Sequence, residues 1–484
     1  MDVGTAGCKA ILLGENGDIL AEAEGQYDLL TPQPGWAELA PKQVFDAVKF
    51  TIGKIAQAAK SDPVKAVSVS SMGDTIVPCN SEGDPVGNSI LAFDTRNINE
   101  ADQFKKEFNP EWIFSVTGQP IHPSYSIVKI MWIQKHLPKL FKETKKYLCF
   151  EDFITCQLCG EAVISHSSAG RTMAFDIHEK LWNDELLSMA GIGKENLAKP
   201  VSSGEQITKI KQKLADELGL SRDVVVVSGG HDQPCGSLGS GYFKNDYAMD
   251  STGTVEVLLV TCIEPILTED MLKANICFWP HVVDGKFCTC GQILTAGAAF
   301  RWFRDEISKG ETYTTIASHF LEKPTELLFI PHLAGSGTPE FSPTARGAFF
   351  GATLQTNQYE IAKSIIEGVC FELKLNIDLL ERAGITLKGL RVIGGAAQSE
   401  KWMQMKADIC GITIEVCQFV NQCPLGAAIL AAYGVGFFNS LDETTDFLPH
   451  ETKVYFPNKK NNAAYEQKFS KYLQFRSAVG ELYK

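Results

Sequence analysis

Residues 248–260, AMDSTGTVEVLLV, repeat the plan of the chain's opening stretch, MDVGTAGCKAILL at residues 1–13. Each copy places an acid, a glycine and a threonine in a short turn next to an apolar run with strand character. The matching residues are Asp2, Gly4 and Thr5 in the first copy and Asp250, Thr252, Gly253 and Thr254 in the second. Such a turn suits a phosphate group, because glycine allows close approach and the polar side chains can meet a cation or a phosphate oxygen.

One such turn alone is more simply an ordinary polar turn. The distance between the two copies, about half of the chain, excludes a short array repeat and favours a duplicated domain. We therefore expect two halves that each present one phosphate-facing hairpin to a shared cleft. The length of 484 residues also favours two domains over one core.

Composition and charge narrow the function classes. The hydrophobic fraction of 44% and charged fraction of 21% are those of an ordinary globular protein. A net charge of −13 argues against a general affinity for nucleic acid or anionic lipid. The apolar stretch near residue 430 is too short for a membrane span, and the N-terminus does not have the pattern of a secretion signal. We expect a cytoplasmic location.

The 14 cysteines are spread along the chain, mostly in apolar contexts that indicate buried thiols. Cys156 and Cys159 form a CxxC in a helical pattern, without a second pair at zinc-finger spacing. Cys288 and Cys290 alternate as two residues on one face of a strand do. We interpret these four as structural.

Strand and helix patterns alternate, which predicts an α/β fold. Residues 66–71 and 224–230 read as buried strands, and residues 41–60 as an amphipathic helix opened by Pro41. Residues 390–411 read as a strand, a Gly-Gly turn and a helix. The free amide groups of that helix could receive a nucleotide.

Asp232 follows the strand at 224–230, at the end where open α/β sheets present reactive groups. Phosphoryl transfer to an alcohol needs a carboxylate that accepts the hydroxyl proton, and magnesium to offset phosphate charge. We predict Asp232 as this base and Asp2 as a holder of the hydrated metal. His231 is expected to point away from the acceptor and to have a packing or supporting role.

Seven segments together resemble the FGGY family of carbohydrate kinases, in the order of that family and over nearly the whole chain. They are DVGTAGCKA at 2–10, GWAELAP at 35–41, FDTRN at 93–97, GGHDQ at 229–233, GSGTPEFSPTARGAFFG at 335–351, GGAAQSEKW at 394–402 and PLGAAILAA at 424–432.

The resemblance implies a duplicated ribonuclease-H-like fold of the actin and hexokinase type, with a central cleft. It implies ATP and Mg²⁺ as cofactors and a small sugar or polyol as acceptor. Residues 1–243 would form the sugar-binding domain with the base, and residues 244–484 the nucleotide-binding domain. A monomer and a homodimer are both compatible with the sequence.

The resemblance also implies roles for individual residues. It places Asp2 and Asp232 near the metal and Thr5 at the phosphates, and it gives Gln233 a polyol hydroxyl to hold. The implied nucleotide residues are Thr5, Thr252, Gly253, Gly297, Arg301, Gly395, Ala396 and Ser399. The implied acceptor residues are Met72, Gly73, Asp74, Asp94, Arg96, Tyr125, Asp232 and Gln233.

Some residues of this chain differ from the family pattern, and these differences bear on which acceptor is used. Glycerol kinases carry Arg-Glu and xylulose kinases Met-His where this chain has Met72 and Gly73, so neither specificity is copied. Asp74 could supply the missing hydrogen-bond acceptor or could cap a turn. Ala92 stands where glycerol kinases place an indole, which favours a ketose or a polyol longer than glycerol.

Only Met1 precedes Asp2, whereas family members have several apolar residues there. We therefore expect a loosely held Asp2, and a weakly active kinase homologue stays an alternative. An actin-like or chaperone-like ATPase would share the hairpins but would not need GGHDQ. A nicotinamide dehydrogenase would need a full first strand before its glycine-rich turn.

For two further residues the sequence allows either a role in the cleft or a structural role. Trp36 could stack on a sugar ring or cap the core beside a proline turn. Arg171 could lie near the cleft, although a lone arginine is more often on the surface or ion-paired.

Overall fold

The computed structural model describes residues 1–59, 63–243, 246–417, 421–444 and 452–483. The secondary structure of the first half alternates short strands and helices. Its strands are β1 (Asp2–Val3), β2 (Gly7–Leu13), β3 (Ile19–Gln26), β4 (Glu38–Leu39), β5 (Ala66–Ser71), β6 (Val77–Cys79), β7 (Ser89–Ile90), β8 (Lys146–Leu148), β9 (Val163–Ser165), β10 (Phe175–Asp176), β11 (Leu181–Trp182), β12 (Lys199–Val201), β13 (Gln206–Lys209) and β14 (Val225–His231). Its helices are α1 (Pro41–Ala58), α2 (Ile98–Glu107), α3 (Pro110–Thr117), α4 (Ser126–His136), α5 (Pro138–Glu143), α6 (Phe150–Cys159), α7 (His166–Ala169), α8 (Asp184–Met189), α9 (Gln212–Leu218) and α10 (Asp232–Gly239).

The second half has the same alternating character. Its strands are β15 (Tyr247–Thr252), β16 (Glu256–Cys262), β17 (Phe278–Pro280), β18 (Phe287–Ile293), β19 (Leu328–Ile330), β20 (Ala348–Phe350), β21 (Gly389–Ile393), β22 (Thr413–Cys417) and β23 (Thr452–Tyr455). Its helices are α11 (Glu269–Lys273), α12 (Gly297–Trp302), α13 (Tyr313–Ser318), α14 (Gln358–Arg382), α15 (Glu400–Cys410), α16 (Gln422–Gly434) and α17 (Lys459–Gly480).

The main sheets of the two halves share one strand order within the described residues. The first runs β3-β2-β1-β5-β14-β13, and the second runs β18-β16-β15-β21-β22-β23 with β17 added at the β18 edge. In both, the hairpin strands are antiparallel and the next two strands are parallel to the first. The duplication predicted from the two turns is therefore confirmed at the level of sheet topology, and the fold is the ribonuclease-H-like type of actin and hexokinase.

Local sequence explains the elements that flank the sheets. Helix α1 begins with Pro41 in its first turn and buries Val44, Val48, Ile52 and Ile55 at helical spacing. The predicted helix at 41–60 is thus confirmed through residue 58, and residue 60 lies outside the described part of the chain. The predicted strand at 66–71 is β5, and the one at 224–230 is observed one residue later as β14.

The long insertion between β5 and β14 has its own apolar cluster, which includes Ile76, Phe104, Ile130 and Leu187. Helix α16 follows the second sheet's β22 in the chain, yet it packs on β5, β14 and α10 of the first half. The predicted division at 243/244 adjoins residues 244 and 245, which lie outside the described ranges, and it stays a prediction.

Within the described ranges, no helix combines the length and the apolar composition that crossing a membrane requires.

Candidate active site

Three acidic residues meet where β1, β5 and β14 end. These strands are adjacent and parallel, so their carboxyl ends share one edge of the sheet. Asp2 lies in β1, Asp74 follows β5, and Asp232 directly follows β14 as the first residue of α10. The charges of Asp2 and Asp74 both raise the pKa of Asp232.

The first strand holds Asp2 firmly despite its two residues. The Met1 ammonium donates to the Ser68 carbonyl at 3.0 Å, and the Ser70 amide donates to the Met1 carbonyl at 2.8 Å. The Ser70 hydroxyl donates to Asp2 Oδ1 at 2.8 Å. The expectation of a loosely held Asp2 is therefore wrong, because β1 lies between β2 and β5. A loosely held Asp2 was the reason to expect a weakly active kinase, and that reason no longer applies.

Asp232 has the electrostatic character of a base poised near neutral pH. Burial, followed by the charge of Asp2, raises its pKa to about 7, while the Gln233 backbone N–H stabilises the charged form. His231 Nε2 lies 3.2 Å from Asp232 Oδ1. Burial holds the pKa of His231 well below its usual range, so the imidazole is neutral.

Arg171 joins the acids from the side of the insertion. Its Nη2 donates to Asp74 Oδ2 at 3.0 Å, and both side chains are buried. Its guanidinium carbon lies 5.3 Å from the ring centroid of Tyr125 and 4.6 Å from that of Trp279. Arg171 is thus ion-paired inside the cleft rather than on the surface.

Lys129 fixes the backbone beneath this pair. Its Nζ donates to the carbonyl of Asp74 at 2.7 Å and also to that of Ser124. Asp74 adopts a positive φ of 59°, a conformation that is uncommon for a non-glycine residue. Burial lowers the pKa of Lys129 to about 8. The buried amine therefore supports an unusual turn that directs Asp74 towards the cleft.

Several polar atoms around Asp232 are buried without a hydrogen-bond partner among the described residues. They include Asp74 Oδ1, Gln233 Oε1 and Arg171 Nε. Buried polar groups are normally paired, and an unpaired one costs free energy. These atoms are what a polyhydroxyl ligand would satisfy.

The strand registers show which residues of the two turns correspond, and their acids do not correspond. In the first turn the Gly4 amide donates to the Gly7 carbonyl, and Thr5 is exposed at the tip. In the second the Gly253 amide donates to the Val255 carbonyl, and Thr254 is exposed. The counterpart of Asp2 is consequently Ser251, and Asp250 lies one residue earlier on the opposite face.

Two predictions about the second turn are corrected by this register. Thr252 is fully buried, and its hydroxyl donates to Asp250 and accepts from Lys406 Nζ at 2.8 Å. Its side chain therefore does not face a phosphate. Asp250 does not match Asp2, because it pairs with Lys406 in the core. Glu256 also binds Lys406 at 3.1 Å.

Two further segments with predicted nucleotide residues pack against this turn. The Gly297 amide donates to the Gly253 carbonyl at 2.9 Å, which seats the start of α12 against the turn. Gly394 has a φ of 93°, and a Cβ there would lie 2.6 Å from the Thr252 carbonyl oxygen. Next to it, Gly395 faces open space. The predicted loops therefore meet around one surface that includes Gly395 and Ala396.

The structure places two predicted nucleotide residues, Arg301 and Ser399, on α12 and at the start of α15. Arg301 is exposed on α12, one helical turn beyond Gly297. The Ser399 hydroxyl accepts from the Trp402 amide at 3.4 Å and so caps α15. Their contact with a nucleotide stays a prediction.

Comparison with known proteins identifies the family. The N-terminal domain of the FGGY family of carbohydrate kinases matches residues 1–239, and its C-terminal domain matches residues 248–435. The chain belongs to the FGGY family of carbohydrate kinases. Members of this family are phosphotransferases with hydroxyl acceptors.

Curated and solved relatives span nearly the full chain. A xylulose kinase of Staphylococcus epidermidis is 29% identical over 98% of this chain and 95% of its own. A gluconokinase of Bacillus subtilis is 29% identical over 93% of this chain and 89% of its own. The solved xylulose kinase of Lactobacillus acidophilus is 27% identical with a TM-score of 0.94, over 100% of this chain and 98% of that one.

Asp94 and Arg96 of this FGGY kinase bind each other. The Asp94 carboxylate accepts from the Ala37 amide at 2.6 Å and from Arg96 at 2.7–2.9 Å. The Arg96 guanidinium lies 3.8 Å from the Trp36 ring centroid, and Trp132 meets Trp36 edge-on. This packing favours the core-cap reading of Trp36. Direct acceptor contact by Asp94 and Arg96 stays a prediction.

Gly73 lies directly against His231. A Cβ on Gly73 would lie 2.6 Å from His231 Cδ2 and 2.8 Å from Nε2. Met72 is buried, and its amide donates to the Val3 carbonyl at 3.1 Å. The imidazole of His231 thus occupies the volume that a side chain at position 73 would need.

Sequence reasoning missed Lys129 and Lys406. Lys129 stands in the otherwise apolar segment IVKIM, and Lys406 stands among the buried residues of α15; both lysines are fully buried. An isolated lysine on the apolar face of a helix was the available signal, since it requires a buried partner.

One cavity lies apart from the acids. It has a volume of about 270 Å³ and is lined by parts of β2, α1 and α16 together with Met1. Neither Asp2 nor Asp232 lines it, and its walls are mostly apolar. A polyhydroxyl ligand suits the acid cluster better.

Proposed function

We propose that this FGGY kinase transfers the terminal phosphoryl group of ATP to a hydroxyl group of a ketose, such as a pentulose, or of a longer polyol. Relatives named xylulose kinase and gluconokinase support a small carbohydrate acceptor. The small Ala92, half-buried in the loop before Asp94, supports an acceptor larger than glycerol.

The observation that carries the proposal is the environment of Asp232. A general base works best when its pKa lies near the working pH, and burial beside Asp2 raises the pKa of Asp232 to about 7. Asp232 would accept the proton of the acceptor hydroxyl as that oxygen attacks phosphorus. His231 supports its position from 3.2 Å.

The acceptor would be held by polar atoms beside the base. Asp74 Oδ1 and Gln233 Oε1 are buried and unpaired in the described structure, and both can accept hydrogen bonds from sugar hydroxyl groups. Tyr125 is buried against the face of Arg171. Met72 and Gly73 would form the adjoining wall, with Asp94 and Arg96 bracing the loop behind it.

The phosphates of ATP would lie between the exposed tips of the two turns. Thr5 offers a hydroxyl from the first turn, and Gly253 offers a backbone surface beside Gly297 in the second. Gly395 and Ala396 would approach the nucleoside, with Arg301 and Ser399 at the margin. Thr254, exposed next to Gly253, takes the place that Thr252 was predicted to fill.

The acid cluster also suits magnesium. Mg²⁺ keeps several waters and is held by one or two carboxylates together with substrate phosphates. Asp2 and Asp232 fit this pattern, although the described residues contain no group of three or more His, Cys, Asp or Glu arranged as a metal site. When bound, Mg²⁺ would offset phosphate charge.

The test is release of ADP with a panel of ketoses, polyols and aldonates. We expect at least one neutral ketose or polyol to stimulate release many-fold over ATP alone. Asp232→Asn should lower acceptor-dependent turnover by about 10²–10⁴-fold while nucleotide binding persists. Asp223→Asn, an exposed acid paired with Lys209, is the matched control. Turnover near the wild-type rate by Asp232→Asn would refute the base assignment.

A further inference from the structure

Two cysteines face each other across adjacent strands at the edge of the acceptor pocket. Strands β17 and β18 pair with Phe278 opposite Thr289, and the same register continued by one residue sets Cys277, just before β17, opposite Cys290. Their sulfur atoms lie 3.9 Å apart. Directly opposed residues of an antiparallel pair have the Cα separation that a disulfide requires.

Cys277 is also tied to the acceptor side of the cleft. Arg171 Nη1 donates to Cys277 Sγ at 3.4 Å, while its Nη2 binds Asp74. The hydrogen bond with Cys290, followed by the charge of Arg171, lowers the pKa of the Cys277 thiol to about 6. Every other cysteine whose side chain the structure describes has a raised pKa.

We propose that Cys277 and Cys290 are a redox pair that closes reversibly to a disulfide under peroxide and thereby alters the acceptor pocket. The strand register, the sulfur separation and the Arg171 contact support the assignment of this redox pair. The effect on the pocket rests on the proposed function, whereas disulfide formation does not.

The chemistry balances with peroxide as the oxidant. The Cys277 thiolate attacks one peroxide oxygen, the O–O bond breaks, and a sulfenic acid and hydroxide form. The Cys290 sulfur then attacks the Cys277 sulfur, the S–O bond breaks, and water leaves with the thiol proton. In total two thiols lose two electrons and two protons, and one peroxide becomes two waters. A dithiol reverses the reaction by exchange.

Closure changes what Arg171 contacts. The sulfurs must approach from 3.9 Å to about 2.05 Å, and a neutral disulfide sulfur is a poorer acceptor than a thiolate. Arg171 then retains Asp74 and Gln119 as partners, with one anionic contact fewer. We expect the KM for the acceptor to rise about tenfold and the KM for ATP to stay the same.

The test is peptide mapping of the full chain after reduction, treatment with hydrogen peroxide and trapping of free thiols with N-ethylmaleimide. We expect a cross-linked peptide joining the segments of Cys277 and Cys290, lighter by two hydrogens and lost on treatment with dithiothreitol. Cys277→Ser and Cys290→Ser should abolish it, and Cys262→Ser, a buried cysteine of β16, should keep it.

Outcomes separate the parts of the proposal. Absence of the cross-link in the wild-type chain, or stable oxidation of Cys277 alone, would overturn the redox pair whether or not the variants fold. A cross-link without a reversible rise in the acceptor KM would overturn the effect on the pocket. Peptide mapping does not depend on turnover. If the protein formed the cross-link but phosphorylated no acceptor, the cross-link would support the redox pair, and the missing activity would count against only the proposed function.

Discussion

His231 Nε2 lies 3.2 Å from Oδ1 of Asp232, and the imidazole is neutral because burial holds its pKa well below the usual range. A neutral imidazole can support the carboxylate without adding a positive charge that would lower the basicity of Asp232. The pair therefore keeps the base near its working pKa.

The pH profile should report this base. Because Asp232 acts only when deprotonated and its pKa is raised to about 7, kcat/KM should rise up to about pH 7 and then level off. Asp2→Asn should lower activity and also move the inflection to lower pH, since the charge of Asp2 raises the pKa of Asp232. Initial rates between pH 5 and 9 measure both effects; an unmoved inflection in Asp2→Asn would contradict the coupling.

Asp232→Asn should stabilise the protein above neutral pH. The pKa of Asp232 is about 7 in the folded state and lies near 3.9 in the unfolded state, so the folded state binds more protons between these values. Stability is therefore lost as pH rises through about 7. The Tm of Asp232→Asn should exceed that of the wild type by about 2 °C or more at pH 8, and the gain should shrink at pH 4. Asp223→Asn should show no such pH-dependent gain.

Gly73→Ala should damage catalysis through His231. The added Cβ would lie 2.6 Å from the imidazole, which must move away from Asp232. We expect kcat/KM to fall by up to about 100-fold, as measured by steady-state kinetics. In a double-mutant cycle, Gly73→Ala should lower kcat/KM much less when His231→Ala is already present. Gly53→Ala in α1 is the control, because its Cβ meets open space and should slightly stabilise the helix.

Arg171→Lys should weaken acceptor binding. The planar guanidinium reaches Asp74, Gln119 and Cys277 together, and a lysine ammonium cannot reproduce that fork. The KM for the acceptor should rise about tenfold, with the KM for ATP unchanged. Arg222→Lys, at an exposed pair with Asp216, should leave both constants unaltered. Equal changes in both KM values would argue against a specific acceptor role.

Lys406→Met should destabilise the second half. Lys406 is the buried cation between Asp250 and Glu256, and removal of one partner of a buried ion pair costs about 3–5 kcal/mol. Burial, followed by the charge of Asp250, raises the pKa of Glu256 to about 8, so the wild type should also lose stability as pH rises through about 8 and level off above it. Denaturant melts at pH 7 and 9 test both points. Lys401→Met, exposed on the same helix, should unfold as the wild type does.

The sequence predicted the duplicated fold because each turn is a local pattern and the two copies lie half a chain apart. It matched Asp250 to Asp2 wrongly, because a shift of one residue along a strand moves a side chain to the opposite face. The distinction between Asp250 and Ser251 depends on the register with β16 and β21, which the local pattern does not contain.

The proximity of some of the acids could be predicted. Asp232 and Asp74 follow predicted strands, so their meeting at one sheet edge could be inferred. The ion pair of Arg171 with Asp74 joins positions 97 residues apart, and the Cys277–Cys290 pair depends on the register of two strands. Neither has a local signature, because tertiary packing alone brings these side chains together.

The close contact between Gly73 and His231 constrains how this kinase can evolve. Any larger residue at 73 must share its volume with the imidazole, so a lineage that gains a side chain there first has to reduce or reorient residue 231. Descendants that gain a side chain at 73 should therefore show either a smaller residue or a reoriented imidazole at 231.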